Sequence, residues 1–541
     1  MKKLLIGAFT LFISNATINA QEITESVAPL SKKAIKGFLY DVTTDENGGS
    51  VLTYKMKVDK KSDAVQFEEY TFDKTPAFIA NKDVEEKKVS KPDKEVTRYF
   101  ANVGGTNSFD VLSMKLKLNK IVTLRTWNHE RQKYIVKKTL ARETIKPRND
   151  DGKTYLGYAS YSSSDDDQSD VLVIAKAESK DKALADQFRI VMFNDQLEIK
   201  ENLLEMNGAH TLVFCDQLPD DDVIAIFAPN KGNGEATNYL YFRFNIKGSL
   251  KERIPFKSPV PAILITAAYQ RDKQVFLFGT SPEEAEFYNK TFSEYAPIYN
   301  PGYTEGGNNR LDFNWQKSLS KKMANFHLIK FDNNKMEFAT NIPVADFKSK
   351  FKTAPGDKGA TPYNGKRFYI ENFYVTPAEE YLIAGQLSAK VNMGSGNIVD
   401  SYEDLVCFHF SKDGVLKAQY GLGKINNDKK SEIFSMMQNF YLSADGKSLF
   451  WEILEVKGVK GYEDFLDAYY DSPTFYPLYF PRVGKIDLTT NSLGTFKIPG
   501  DQKYFLKRNF TSHFNSAENS VTYYGHDEDY TKIWVGKMKM Q

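Results

Sequence analysis

Short apolar runs, broken by Ser, Pro, Asp, Ala or Gly, recur along this chain. Four stretches make the pattern plainest: FYLSADGKSLFWE (440–452), FYVTPAEEYLIAGQ (373–386), HFNSAENSVTYYGH (513–526) and DQLPDDDVIAIFA (216–228). Each reads as strand, tight turn, strand. Asp, Gly and Pro supply the turn geometry, and alternating β-branched and aromatic residues suit a pleated strand. AAYQRDKQVFLFG (267–279) is a looser copy, and DGKTYLGYASY (151–161) keeps the turn and the second strand.

A second type of hairpin follows each of these. Its copies are YFRFNIKGSLKERI, HLIKFDNNKMEFAT, CFHFSKDGVLKAQY, VGKIDLTTNSLGTFKI and RIVMFNDQLEIKENL, with YKMKVDKKSDAVQFEEY and SMKLKLNKIVTLRTW as weaker members near the N-terminus. The repeating unit is therefore four antiparallel strands, A to D. One such sheet cannot cover its own apolar faces, but sheets stacked around an axis can. The pattern predicts an all-β fold, a single β-propeller of seven four-stranded blades, with eight as the next count. The last repeat, TKIWVGKMKMQ, lacks a fourth strand, and KGFLYDV or VLTYKMKV is expected to supply it and close the ring. The charged run NKDVEEKKVSKPDKEVTR (81–98) reads as a solvated loop or short helix.

LSADGKSLFW resembles the repeat of TolB-like and WD-repeat-like propellers, in which a Ser-x-Asp-Gly-Lys turn joins the two inner strands of a blade. Ser443, Asp445, Gly446 and Lys447 carry the match, and the other copies are degenerate. The resemblance implies the fold and no activity, because propellers host many functions.

Long segments are expected between strands B and C, at 162–187, 281–322, 387–404 and 456–480. In a meandering blade the B–C and D–A connections leave from the same end, so these four insertions should crowd onto one face. Two are rich in aromatics: Phe287, Tyr288, Tyr295, Tyr299, Tyr303 and Trp315 in one, and Tyr462, Phe465, Tyr469, Tyr470, Phe475, Tyr476 and Tyr479 in the other. Aromatic side chains give large contact areas at modest entropy cost and are enriched at interfaces. These thirteen are the candidate partner-binding residues; packing on one another to cap the ring is the structural alternative.

Composition changes this picture mainly by exclusion. Residues 1–20 read as an export signal, with Lys2 and Lys3 ahead of a short apolar run and Ala20 ahead of Gln21. The run is too short for a span, which needs about 20 apolar residues. Taking Lys2 and Lys3 from the 72 basic residues leaves 70 against 70 acidic ones. That balance argues against nucleic-acid binding, and no segment calls for membrane insertion. Cys215 and Cys407 sit in apolar strands and read as core thiols.

Chemistry is sparse. GATPYNGKR (359–367) has the wrong glycine spacing for a phosphate loop, with Ala360 where Gly is required. His327 and His409 read as satisfied strand residues. Asp165–Asp166–Asp167 and Asp220–Asp221–Asp222 lack the alternating spacing of a calcium loop. No catalytic residue, metal or cofactor is assigned. The expectation is a non-catalytic protein of a Gram-negative periplasm that docks through its aromatic loops on a protein partner in the outer membrane. By size and address, an accessory subunit of a secretion channel fits. The alternative is a glycan-binding or glycan-active propeller. For that class, aromatics should surround a centre that also holds acidic residues.

Overall fold

The computed structural model describes residues 22–540 apart from 45–47, 58–61, 104–114, 130–132, 163–170, 182–183, 185–186, 195–197, 292–321, 358, 393–397, 427–430, 461–475 and 507–511. Nearly every described element is a strand, and the architecture is β-propeller-like: eight small antiparallel sheets in chain order. Seven of them are built on four antiparallel strands; the fifth adds Ile342–Pro343, the sixth adds the parallel Phe351–Thr353, and Tyr504–Leu506 pairs with both the seventh and the eighth to make them one nine-stranded sheet.

The first sheet is Phe38–Thr44, Ser50–Lys55, Ala64–Phe72 and Phe78–Lys87. The second has three strands, Lys94–Val103, Leu116–Asn128 and Lys133–Ile145. The third, fourth and fifth begin with Tyr155–Ser162, His210–Gln217 and Leu264–Arg271. The sixth and seventh begin with Arg367–Val375 and Gln438–Leu442. The eighth consists of Ser512–Asn515, Ser520–Asp527 and Lys532–Lys539, completed by Ile23–Pro29 from the other end of the chain, which pairs antiparallel with Lys532–Lys539. The expected terminal pairing is present, but its strand lies upstream of both segments proposed for it. KGFLYDV instead opens the first sheet.

Apolar clusters fill the junctions from the second sheet through to the eighth, and a further cluster joins the eighth to the first. Among the described residues no such cluster joins the first sheet to the second.

The turn read from the sequence is built as expected in the seventh sheet. Ser443 Oγ donates to Asp445 Oδ1 at 2.7 Å and accepts the Ser448 N–H at 3.0 Å, while Gly446 takes a φ of 68°. Asp221, Glu379 and Asn519 occupy the same left-handed region in the corresponding turns, at 65°, 60° and 47°. Short polar side chains tolerate that conformation better than most; Glu379 is the exception.

Several expectations need correction. Residues 155–161 form the first strand of their sheet, and the second is Val171–Ala177, an apolar run buried from both sides. The segment 162–187 is therefore not one insertion. The 387–404 segment is largely strand, Tyr381–Asn392 pairing with Ile398–Phe410 out to Asn392↔Ile398. Of 456–480 the described ends are strand, Ser448–Lys460 pairing with Tyr476–Asp487 out to Lys460↔Tyr476, and 461–475 lie outside the described residues. SMKLKLNKIVTLRTW contributes the single strand Leu116–Asn128. YKMKVDKKSDAVQFEEY spans the second and third strands of the first sheet. The charged run 81–98 is exposed, as its charge requires, yet most of it lies in Phe78–Lys87 and Lys94–Val103.

Candidate functional site

The first strands of successive sheets lie against one another, and their aromatic side chains interlock. Tyr269 of the fifth sheet stacks on Phe373 of the sixth, with centroids 5.0 Å apart at 24°. Tyr374 of the sixth tilts onto Phe440 of the seventh at 5.8 Å. Tyr441 of the seventh stacks on Phe514 of the eighth at 4.8 Å and 28°. Phe440 is buried, whereas the other five rings are only half-buried. Adjacent residues along a strand point to opposite faces, so each Phe-Tyr pair reaches both neighbouring sheets. The result is an aromatic belt across four sheets.

Five of the first strands also carry a one-residue bulge opposite their second strand. The extra residues are Tyr40, Tyr158, Val213, Thr266 and Glu371. A bulge bends the strand and re-aims its side chains. In the sixth sheet the bulge brings backbone onto the second strand so closely that a Cβ on Gly385 would lie 2.0 Å from the Tyr369 carbonyl oxygen. Gly279 stands in the equivalent place in the fifth sheet, 2.8 Å from the Leu264 carbonyl oxygen by the same measure.

Acidic groups accompany the belt. Asp216 and Gln217 of the fourth sheet hold the repeat position that Phe373–Tyr374 and Phe440–Tyr441 hold elsewhere. The Asp216 carboxyl is half-buried and accepts the Gln217 N–H at 2.9 Å. Burial pushes its pKa up to about 6, against the pull of that N–H. Glu371, the bulge residue, lies near Tyr402: its charge, with that of Asp400, adds to the burial that raises the Tyr402 hydroxyl. Arg367 binds Asp400 at 2.7 Å, and Tyr369, 38% exposed, meets Tyr402 edge-on at 5.1 Å. Behind Tyr441, the buried Glu452 accepts its hydroxyl at 2.9 Å.

Other polar groups are committed to structure. His327 is held by the Thr340 carbonyl and Ser281 Oγ, both at 2.9 Å, and His409 by Glu380 at 2.8 Å and Tyr420. Asp220 and Asp222 are engaged by Arg243 at 2.6 and 2.7 Å, and Asp222 also by Lys251 at 2.5 Å. Their oxygens serve ion pairs rather than a cation site. Cys215 and Cys407 are buried and form no disulfide, and burial pushes the Cys215 thiol up to about 12.

Only four of the thirteen loop aromatics lie among the described residues. Tyr295, Tyr299, Tyr303, Trp315, Tyr462, Phe465, Tyr469, Tyr470 and Phe475 lie outside the described residues. Phe287 is half-buried and precedes the helical turn Tyr288–Thr291. Tyr288 is buried in the core between the fourth and fifth sheets, and Tyr479 in that between the seventh and eighth, so neither offers its ring to a partner. Tyr476 opens the strand Tyr476–Asp487. The belt aromatics sit instead inside the very stretches that reveal the repeat. Aligning those stretches on their left-handed turn residues Glu379, Gly446 and Asn519 places Tyr374, Tyr441 and Phe514 in register, which is the signal that was there to find; Tyr269, in the looser copy with a shorter turn, falls outside it.

No family description and no curated protein matches the chain. Among solved structures it is similar to a Pseudomonas brassicacearum lignostilbene dioxygenase, with 9% identity, 84% of this chain and 94% of that one covered, and a TM-score of 0.35. A Synechocystis apocarotenoid oxygenase variant gives 8%, 87%, 91% and 0.24, and a Fusarium graminearum α-L-arabinofuranosidase 7%, 70%, 91% and 0.22. All three are enzymes. The expectations of a non-catalytic docking protein and of no enzymatic role run against these neighbours, and the described loop aromatics lend them no support. Likeness at this level is one of fold and transfers no residue or reaction.

Proposed function

We propose that the chain is a glycan-active protein whose sugar rings stack on the aromatic belt of the first strands. The observation that carries this reading is the belt itself: half-exposed rings in register on successive sheets, with carboxyl groups on the same set of strands. Aromatic faces suit the apolar faces of sugar rings, and carboxyls fix hydroxyls or transfer protons. Glycoside cleavage needs one carboxyl protonated near neutrality and a second ionised. Asp216, half-buried and with a raised pKa, suits the acid, and Glu371 offers the second carboxylate.

Two further elements belong to the same reading. The eight sheets form one ring, supported by the continuous run of inter-sheet cores and the pairing of Ile23–Pro29 with Lys532–Lys539. Export to a Gram-negative periplasm is supported by the character of residues 1–20.

The test is a panel of soluble oligosaccharides titrated calorimetrically into wild type, Tyr374→Ala and Tyr269→Ala, with reducing-end release followed in parallel. A ligand whose affinity falls tenfold or more in both variants supports the reading. Absence of any binding, or binding indifferent to both substitutions, overturns it.

A further inference from the structure

The seventh and eighth sheets meet around one fully buried carboxyl. Glu452 lies in Ser448–Lys460 and has no exposed surface. Its Oε2 accepts Asn439 Nδ2 at 2.8 Å and Tyr441 Oη at 2.9 Å, and Tyr441 Oη lies 3.5 Å from Ser512 Oγ of the eighth sheet. From the eighth sheet, the fully buried Tyr523 directs its hydroxyl toward the same carboxyl without closing a hydrogen bond. The Tyr523 ring lies 6.3 Å from that of Trp534. Glu452 Oε1, Tyr523 Oη and Trp534 Nε1 have no hydrogen-bond partner among the described residues.

No cation among the described residues offsets a charge on this group. The groups facing it are Asn439 and Tyr441 from Gln438–Leu442, Tyr523 from Ser520–Asp527 and Ser512 from Ser512–Asn515. Lys485, on the neighbouring strand, sits over the Phe450 ring at 5.8 Å. Desolvation is the largest influence on the carboxyl and favours its neutral form, against the weaker pull of the surrounding donors.

We propose that Glu452 is a proton-linked latch on this seam: it is held as the neutral acid while the seam is closed, and its ionisation loosens the strands carrying Tyr441 and Tyr523. A buried carboxylate without a cation is far costlier than the acid, and the cheapest relief is to let water reach Oε1. That requires the seventh and eighth sheets to part against the pairing of Tyr504–Leu506 with a strand of each. The Tyr441–Phe514 stack spans the same seam, so the belt would lose one end. This inference does not depend on the glycan reading.

The sign follows from linkage. The folded pKa lies above the unfolded value, so the contribution to stability is complete below the ordinary glutamate range and is lost as pH rises through the folded pKa. The experiment is hydrogen exchange of the full chain between pH 5 and 9, corrected for intrinsic exchange, over 438–460 and 512–527. Wild type should lose protection tenfold or more in both segments, and Glu452→Gln should stay flat. Equal pH dependence in the two proteins overturns the proposal. Should Glu452→Gln fail to fold, Tyr441→Phe decides. It removes a donor that favours the carboxylate, so the wild-type transition should move to higher pH, and an unmoved or lowered transition overturns the latch.

Discussion

Tyr441 stacks on Phe514, joining the first strand of the seventh sheet to that of the eighth. The same kind of contact between Tyr269 and Phe373 joins the fifth to the sixth. Each such contact seals a junction between sheets with rings that stay partly exposed, and the two roles separate by substitution.

Phe373 packs on Tyr269, on Phe276 at 4.9 Å and on Tyr381. Phe373→Ala should cost about 3 kcal/mol, at the lower end for large aromatic truncations because the ring is half-buried. Tyr374, with its single belt contact to Phe440, should cost about 1 kcal/mol as Ala and yet lose as much glycan affinity. Urea unfolding beside calorimetric titration checks this, and equal destabilisation would mark both rings as core alone.

Gly385→Ala should be severely destabilising, because the new methyl meets the Tyr369 carbonyl and the strand cannot retreat without breaking the bulge. Gly446→Ala, at a left-handed position with open space around it, should cost only about 1 kcal/mol. A thermal melt of the two variants ranks them.

Glu455 and Arg482 form a buried pair at 2.6 Å; Arg482 also donates to the Gly423 carbonyl at 3.0 Å, and Glu455 accepts the backbone N–H of Ile425 and Asn426. Removing one partner strands the other charge. Arg482→Met should lose about 3–5 kcal/mol, and adding Glu455→Gln should restore part of it. Denaturant midpoints of the single and double variants test this, and a double variant no better than the single would refute the pairing.

His327 is buried and its pKa is lowered to about 4, chiefly by desolvation. The fold binds the neutral imidazole, so its contribution is complete above the unfolded value of about 6.5 and is lost as pH falls toward 4. The full effect is about 3 kcal/mol. His327→Gln should flatten the acid limb of a stability-against-pH curve, and an unchanged limb would exclude His327 as its cause.

If Asp216 is the acid of a cleavage reaction, activity should fall as pH rises through about 6. Asp216→Asn should abolish turnover while leaving glycan binding in place. Binding lost together with turnover would make Asp216 a contact residue instead.

Much of the fold was legible in the chain. Period-two alternation and turn residues located most strands, because a half-buried strand must alternate and a tight turn must take left-handed backbone. Ser443–Gly446 shows both requirements in one loop. Where strands are buried from both sides, alternation disappears, and VLVIAKA (171–177) passed for part of an insertion. Exposed edge strands fail in the other direction: Phe78–Lys87 is so polar that charge hid its pairing.

By itself the sequence determined the repeat, the strand chemistry and the positions at which Gly or a small polar residue must stand, since these follow from local backbone sterics. Only the tertiary structure decided which aromatics matter. Tyr288 and Tyr479, conspicuous in aromatic loops, are consumed by cores, while Tyr374 and Tyr441, unremarked in their strands, join the first strands of neighbouring sheets. Aromatic composition measures apolar surface, but whether that surface is buried or offered depends on which sheet comes to lie beside it, and that is set by contacts far apart in the chain.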